Sequence, residues 1–419
     1  MMARGFRSQM QVVTMHRPNE PGYSRPDDFV LDDRMDALRE FLHAFAVDEL
    51  RPRARAADLA GTVEPEVIAR LGEMAGDRAA IVPPLRSDED LDGGPRSDGM
   101  VAVVGGEELA WGDAAMILNI PGPGLAGPSI SSAGTPDQHR RFLTEIFDGQ
   151  GPRFGALAVT EAQAGSDVSN LRTTAVRDGD EWVLNGTKVF CTNGARADVL
   201  VVNATVDPGA GRSGQKLFVV LKGTPGVAVG RIEHKLGLTA SETAELVFDD
   251  CRIPFDHIVG GEDALRPASG FKATLRAFDA SRPGVAAMAI GIGRAAFEYV
   301  TDWSRTEIPR QSRRRPFVEA RLAATERDLA AARVLARRAA WMADNRIPNS
   351  KEASMAKAAG PRAALRACVS AIEIMGPEGY SREHLVEKWF RDIKVYDIFE
   401  GTGQIQRVVI GRHILGRLD

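Results

Sequence analysis

The hydrophobic pattern of this 419-residue chain changes period twice, and that order constrains the fold more than any single residue. Near the start, Leu31, Met35, Leu38, Phe41, Leu42, Phe45 and Leu50 fall at helical spacing from about Val30 onward. Asp32, Asp33 and Asp36 precede or open that run, where negative charge complements the helix dipole. Further helices are predicted at about 65–75, 98–118 and 135–148, the last opening with Thr135 and Pro136, a cap followed by a first-turn proline. The period then shortens. Trp182-Val183-Leu184, the pair Asn185-Gly186 and Val189-Phe190 predict a hairpin, because Asn-Gly adopts the positive φ angles of a two-residue turn. Asp178-Gly179 gives a similar signal one strand earlier, and β-rich runs follow at Val199 to Val206, Leu217 to Leu221, Val227 to Ile232 and Ala244 to Phe248. After about Gly270 helical periodicity returns, with a long amphipathic helix predicted over residues 318–345.

A chain of this length exceeds what one core supports, so the α, β, α order is read as separate domains of an α+β protein. The expected limits are a polar tail at 1–30, an α-helical domain at 31–150, a β domain at 151–262 and an α-helical domain at 263–419. Composition removes several function classes. The net charge of -4 supplies no basic field for nucleic acid or an acidic membrane surface. Cys191, Cys251 and Cys368 are odd in number, far apart and free of any CxxC spacing, which argues against a disulfide framework and a thiolate metal site and fits a reducing cytoplasm. The seven histidines include no HExxH, so no metal site is expected. No apolar run reaches the roughly 18 residues of a membrane span. Met1 to Arg25 contains arginines and lacks acidic residues until Glu20, but has no apolar core of a secretion signal.

Gly291-Ile292-Gly293-Arg294-Ala295-Ala296 matches the dinucleotide fingerprint GxGxxA, yet it lies in an alanine-rich helical run rather than after a buried strand. Close helix packing through small residues is the better reading. A more informative block runs from Ala156 to Asp167, with Leu157, Val159, Thr160, Glu161, Ala164, Gly165 and Ser166. By composition it is a short strand leading into a loop of small residues. Its backbone groups and hydroxyls could hold a flat polar ring or a phosphate, although an ordinary strand exit has the same composition.

These residues resemble the TE-x-x-AGSD signature of acyl-CoA dehydrogenases, and the resemblance extends over about 380 residues. Asn185-Gly186-x-Lys188-x-Phe190-Cys191-Thr192-Asn193 is similar to the family's NGxKxWITN segment, with Phe190 where tryptophan is usual. Lys235 to Ser241, Arg252-Ile253-Pro254, Gly270-Phe271 and Ser281-Arg282-Pro283 match further segments in order. Glu387-Lys388-x-x-Arg391-Asp392 and Ile398-Phe399-Glu400-Gly401-Thr402-Gly403-Gln404-Ile405-Gln406-Arg407 resemble VEK-x-x-RD and IYEGT-x-QIQR.

The resemblance implies a β-barrel-like central domain, a C-terminal four-helix bundle and FAD as cofactor. It assigns Glu400 as catalytic base, Leu157, Val159, Thr160, Ser166, Phe190, Thr192, Thr402 and Gln404 to the flavin, and Ser166, Phe278, Ser281, Arg282, Phe399 and Gly401 to the substrate. The implied reaction is α,β-dehydrogenation of an acyl-CoA: Glu400 takes the α-proton, the β-hydride goes to flavin N5, and the backbone N–H of the glutamate helps to hold the enolate oxygen. A glutamate after Ile398 and Phe399 can sit in an apolar pocket that raises its pKa into the range of a general base. Gly401 leaves room for close backbone approach.

Two segments depart from the family pattern. No Arg-x-x-Phe-Gly occurs in the stretch Ser304 to Pro316, and Gln-x-x-Gly-Gly becomes Glu373-Ile374-Met375-Gly376-Pro377. In the family both serve the flavin of a neighbouring subunit, which implies a heteromer with a paralogous chain, an assembly associated with steroid side-chain degradation. The alternative is a homomer in which Arg310, Arg313, Arg314 or Arg315 replaces the lost arginine. A dimer or tetramer is expected, with electron-transfer flavoprotein or a similar acceptor as redox partner. Alternative functions are an acyl group on an acyl carrier protein, or a flavin-binding relative that does not dehydrogenate.

Overall fold

The computed structural model describes residues 31–81, 98–148, 151–266 and 269–416; the expected tail at 1–30 lies outside them. The first helix, α1 (Asp33–Phe45), is capped by Asp32, whose side chain accepts from Met35 N at 2.8 Å, and it runs on through a π-helical turn to Leu50. Helices α2 (Ala54–Ala60), α3 (Pro65–Ile81), α4 (Asp98–Asp113) and α5 (Ala126–Ala133) follow. At Thr135 a full capping box with Gln138 opens α6 (Pro136–His139), which continues through a π-helical turn into α7 (Glu145–Phe147).

The central region forms one seven-stranded sheet: β1 (Gly155–Ala158), β2 (Thr174–Asp178), β3 (Glu181–Thr192), β4 (Val199–Thr205), β5 (Gln215–Leu221), β6 (Val227–Ile232) and β7 (Thr243–Pro254). Its halves, β2-β3-β7-β6 and β1-β4-β5, are joined by a single parallel pairing, Thr174 with Thr205. The sheet curls at that weak seam. Trp182 of β3 stacks on Phe255 at 5.7 Å and meets Phe218 of β5 edge-on at 5.3 Å, so one indole bridges the two halves.

The hairpin expected at Asn185-Gly186 does not form. Both residues lie inside β3, a 12-residue strand that pairs with β2 along its first part and with β7 along nearly all of it. The pair instead makes a bulge: the register with β7 shifts between Leu184 and Gly186. Asn185 Oδ1 accepts from Asp250 N at 2.8 Å, and at Gly186, with φ +147, a Cβ would lie 2.6 Å from Thr173 Oγ1. Asn-Gly signals positive φ, which a bulge uses as readily as a turn. The tight turn is the one at Asp178-Gly179, where Gly179 has φ +62 and Asp178 pairs with Glu181.

The C-terminal region comprises α8 (Ser269–Glu307), α9 (Arg315–Asp344), α10 (Ser350–Met375), α11 (Val386–Tyr396) and α12 (Gly403–Leu415). Gly291 and Gly293 lie within α8: a Cβ would fall 2.2 Å from Glu107 O at Gly291 and 2.8 Å from Ala364 Cα at Gly293. The GxGxxA run therefore lets α4 and α10 approach α8. One continuous core joins the N-terminal helices to this bundle, with Leu38, Leu42, Leu109, Ile290, Leu329, Ile374 and Trp389 buried in it.

Candidate active site

Glu400 stands in the short loop between α11 and α12, and α11 is held by buried charge. Lys388, fully buried, places its Nζ 2.6 Å from Asp113 Oδ2 of α4 and 2.6 Å from Asp392 Oδ2 one turn along α11. Asp392 Oδ1 accepts from Leu238 N at 2.6 Å, in the loop between β6 and β7. The two carboxylates outweigh the desolvation of Lys388 and hold its pKa above the ordinary value. Beside this triad, Arg391 Nη2 meets Asp58 Oδ2 at 2.6 Å and its Nε meets Glu387 Oε2 at 2.8 Å, while Arg55 Nη1 reaches Glu387 Oε1 at 2.6 Å. The segment Glu387 to Asp392 thus clamps the N-terminal helices, the β sheet and α11 together, so the end of α11 is a rigid platform.

From that platform the chain turns sharply. Ile398 N and Phe399 N both donate to Val395 O, and the Phe399 ring packs edge-on against buried Tyr396 at 4.9 Å. Glu400 then adopts φ +57 and Gly401 φ +90, two successive left-handed residues of which the first carries a side chain. Thr402 Oγ1 accepts from Ile405 N at 3.3 Å and caps α12, with Gln404 exposed on its first turn. The turn carries Glu400 to α8. There Ser281 Oγ lies 2.7 Å from Glu400 Oε2 and 3.2 Å from Phe278 O. Arg282, itself buried, points Nε at Glu400 O at 3.4 Å and pairs through Nη1 with Asp279 at 2.6 Å. Pro283 follows within the helix, where it has no N–H for the usual bond to a carbonyl four residues back.

Part of Glu400 remains accessible, yet its carboxyl lies deep enough that burial raises its pKa. The Ser281 hydrogen bond and the charges of Arg282 and Lys357 pull the other way. A carboxyl whose pKa burial raises while a hydroxyl and two cations restrain the rise suits a base that must accept a proton near neutrality. The N–H of Glu400 has no hydrogen-bond partner among the described residues, so it is available to an oxygen brought to the same turn.

The second cluster lies on the sheet. Val189 N donates to Thr160 O at 2.9 Å and Lys188 Nζ to Val159 O at 3.1 Å, which ties the end of β1 to β3. Lys188 and Glu161, both buried, pair at 2.7 Å, and Glu161 also accepts from Thr173 N, Thr173 Oγ1 and Arg172 N. Desolvation raises the pKa of Glu161, but Lys188 and these donors outweigh it and bring the value down to about 2. Two residues beyond Lys188 the register with β7 shifts again, and Phe190 takes φ +57 with 59% of its surface exposed. The hydroxyls of Thr160, Ser166 and Thr192 make no hydrogen bond among the described residues. An exposed aromatic face at a bulge, with hydroxyls free of partners on the same strand and on the loop bonded to it, suits a flat heteroaromatic ring with polar edges.

By element, Leu157 lies on β1, Val159, Thr160 and Ser166 in the loop after it, Phe190 and Thr192 on β3, Phe278, Ser281 and Arg282 on α8, and Phe399, Glu400 and Gly401 in the loop after α11. No hydrogen bond among the described residues joins those on β1, its loop and β3 directly to those on α8 and the loop after α11, and Thr402 and Gln404 sit at the start of α12. Lys357 and Gln406 were absent from the expected set. Lys357, fully buried on α10, donates to Gly401 O at 2.7 Å, and Gln406 donates to the same oxygen at 2.9 Å. Burial pushes the pKa of Lys357 down to about 8 against the pull of Asp397 and Glu400. A lysine at an inward position of an alanine-rich helix was the available signal.

Family models described as the N-terminal, middle and C-terminal domains of acyl-CoA dehydrogenase match residues 32–150, 156–251 and 268–415. The short-chain specific acyl-CoA dehydrogenase of Rattus norvegicus mitochondria is 35% identical over 382 residues, covering 90% of this chain and 89% of its own length. Cyclohexane-1-carbonyl-CoA dehydrogenase of Geobacter metallireducens is 34% identical, with 92% of this chain and 99% of its own length covered. The solved structure of butyryl-CoA dehydrogenase from Megasphaera elsdenii superposes with a TM-score of 0.82 at 31% identity, covering 92% of this chain and 99% of that one.

Proposed function

The chain belongs to the acyl-CoA dehydrogenase family, and on that premise we propose that Glu400 is the base that takes the α-proton of an acyl-CoA thioester in an FAD-dependent oxidation to the 2,3-enoyl-CoA. The protein is accordingly an oxidoreductase acting on CH–CH groups, in a family of flavoproteins. The observation that carries the assignment is the Ser281–Glu400 contact at 2.7 Å on a left-handed turn whose N–H is unpaired. That turn offers a poised carboxylate and, from the backbone of the same residue, a donor for the thioester oxygen as it gains charge. Phe190, Thr160, Thr192, Ser166, Leu157 and Val159 would hold the isoalloxazine, and Thr402 and Gln404 would meet the rest of the cofactor. When bound, the flavin supplies the acceptor for the β-hydride. Ser281, Arg282 and Phe278 would line the approach to Glu400, and Phe399 would back it.

Anaerobic reduction by a panel of acyl thioesters, from butyryl-CoA through cyclohexane-1-carbonyl-CoA to steroid side-chain acyl-CoAs, tests the reading in wild type and Glu400→Gln. Removing the base should slow reduction roughly 10²- to 10⁴-fold with thioester binding retained. Unchanged reduction in the variant refutes Glu400 as base.

The assembly is proposed to be heteromeric. Arg314, one of four candidates for the lost arginine, is tied to Ile374 O at 2.6 Å, and Arg315 is paired with Glu319 at 3.0 Å. Glu373 is paired with Arg321 at 2.6 Å. Three of the side chains available to serve a neighbour's flavin are therefore engaged within this chain. Purification of the chain alone measures this: stoichiometric flavin in a lone homomer sinks the heteromer reading. A cytoplasmic location and electron-transfer flavoprotein as acceptor complete the proposal; among the described residues, no helix is long and apolar enough to cross a membrane.

A further inference from the structure

The turn that presents Glu400 is conformationally expensive, and its stabilisation comes from elements distant in sequence. A non-glycine residue at φ +57 costs on the order of 1 kcal/mol and persists only where surrounding structure over-determines it. Here the determinants are donors to two consecutive carbonyls. Glu400 O receives Arg282 Nε of α8 at 3.4 Å and Gln406 Nε2 of α12 at 3.3 Å. Gly401 O receives Lys357 Nζ of α10 at 2.7 Å and Gln406 Nε2 at 2.9 Å. A Cβ on Gly401 would lie 2.6 Å from Gln406 Nε2, so the turn and its donors fit only one another. Of these donors, Lys357 makes the shortest contact and is fully buried.

We propose that Lys357 is a positioning residue for the reaction: its ammonium pins the Gly401 carbonyl, fixes the left-handed turn, and so sets both the direction and the charge of the Glu400 carboxylate. The proposal rests on Glu400 as the base. Lys357 does not reach the reacting atoms in this arrangement; it acts through the peptide that follows Glu400 and through its charge. The groups facing the pair are Ser281 and Arg282 from α8, Asp397 and Glu400 from the loop, and Gln406 from α12. Asp279 lies one step further out, paired with Arg282, and His413 beyond it acts on Asp279. Lys357 stabilises the charged form of Glu400, so its loss raises the Glu400 pKa.

Two readouts on the flavin-loaded protein separate this from a merely structural role. The first is the titration of the Glu400 carboxyl, isolated as the ¹³C-glutamate infrared difference between each variant and its Glu400→Gln counterpart. The second is exchange of the α-hydrogens of a 3-thia-acyl-CoA, whose β position carries no hydrogen, followed in D₂O. Lys357→Met should move the Glu400 titration up by about one unit and slow exchange roughly 10- to 100-fold, with little change in thioester affinity. Lys357→Arg, which keeps the charge, should return the titration toward wild type. Gln406→Met should slow exchange without moving the titration. An unmoved Glu400 titration in folded Lys357→Met overturns the proposal. If that variant does not fold, unchanged exchange in Gln406→Met overturns it instead. Failure of the base assignment has a different signature: exchange survives in Glu400→Gln, while the carboxyl titration still reports on Lys357.

Discussion

The hydroxyl of Ser281 and the carboxylate of Glu400 lie 2.7 Å apart, one on the helix α8 and the other on the turn after α11. A hydroxyl that donates to a carboxylate favours its charged form, so Ser281 opposes the upward pull of burial on Glu400.

In Ser281→Ala that opposition is lost and the Glu400 pKa rises further. Proton abstraction needs the ionised base, so the acidic limb of kcat/KM against pH should move upward by roughly one unit, since a hydrogen bond to a charged group contributes about 1.5 kcal/mol or more. The high-pH plateau should change little. Stopped-flow reduction across the pH range measures both limits, and an unmoved acidic limb contradicts the assignment of Ser281 as tuner.

Phe190 carries the second prediction. Its φ of +57 suits glycine better than phenylalanine, and its ring is mostly exposed in the chain alone. Phe190→Gly should therefore leave the flavin-free protein as stable as wild type or about 1 kcal/mol more stable, while flavin dissociates more readily for want of an aromatic face. Phe190→Trp should retain flavin. Urea midpoints of the flavin-free forms and fluorescence titration with FAD give the two readings; equal flavin affinity in Phe190→Gly removes Phe190 from the cofactor site.

Much of this site was legible in the chain because its chemistry is local. Glu400, Thr402 and Gln404 fall in one short segment, as do Thr160 and Ser166, and the α, β, α change of period separates the elements that carry them. What could not be read is tertiary. The positive-φ signal of Asn185-Gly186 predicted a turn, whereas pairing with both β2 and β7 makes it a bulge. Lys388 and Asp392 were recognised as a motif without a role, since their partners Asp113 and Leu238 are distant in sequence. Lys357 carried no motif, and only the packing of α10 against the loop gives it an oxygen to hold.

The buried pair Glu161–Lys188 tests how β1 is coupled to β3. In Glu161→Gln the ammonium of Lys188 keeps the Val159 carbonyl but loses its counter-charge, and breaking a buried pair in this way costs about 3–5 kcal/mol. Because the folded pKa of Glu161 is depressed to about 2, its contribution in wild type is complete above the unfolded carboxylate value and is lost as pH falls through 2. The deficit of the variant should thus be full near neutral pH and shrink below about pH 4.3. Denaturant midpoints compared across that window give the answer; a deficit that grows on acidification contradicts the ion-pair account.

The deficit left by removing Lys388 should also shrink on acidification, but over a higher pH window, because two buried carboxylates are left behind. Lys388→Met leaves Asp113 and Asp392 buried without their cation, and burial already holds Asp392 above the ordinary carboxylate value. A carboxyl whose folded pKa is raised contributes fully below its unfolded pKa and destabilises as pH climbs through the folded one. The deficit of Lys388→Met relative to wild type should therefore be smallest near pH 4 and reach about 3–5 kcal/mol at neutrality. Since Asp392 also fixes Leu238 and α11 supports the turn at Glu400, the same variant at neutral pH should lose kcat more than it gains in KM. Midpoints measured from pH 4 to 8, together with steady-state rates, check both parts; a deficit independent of pH means that the triad acts through packing rather than charge.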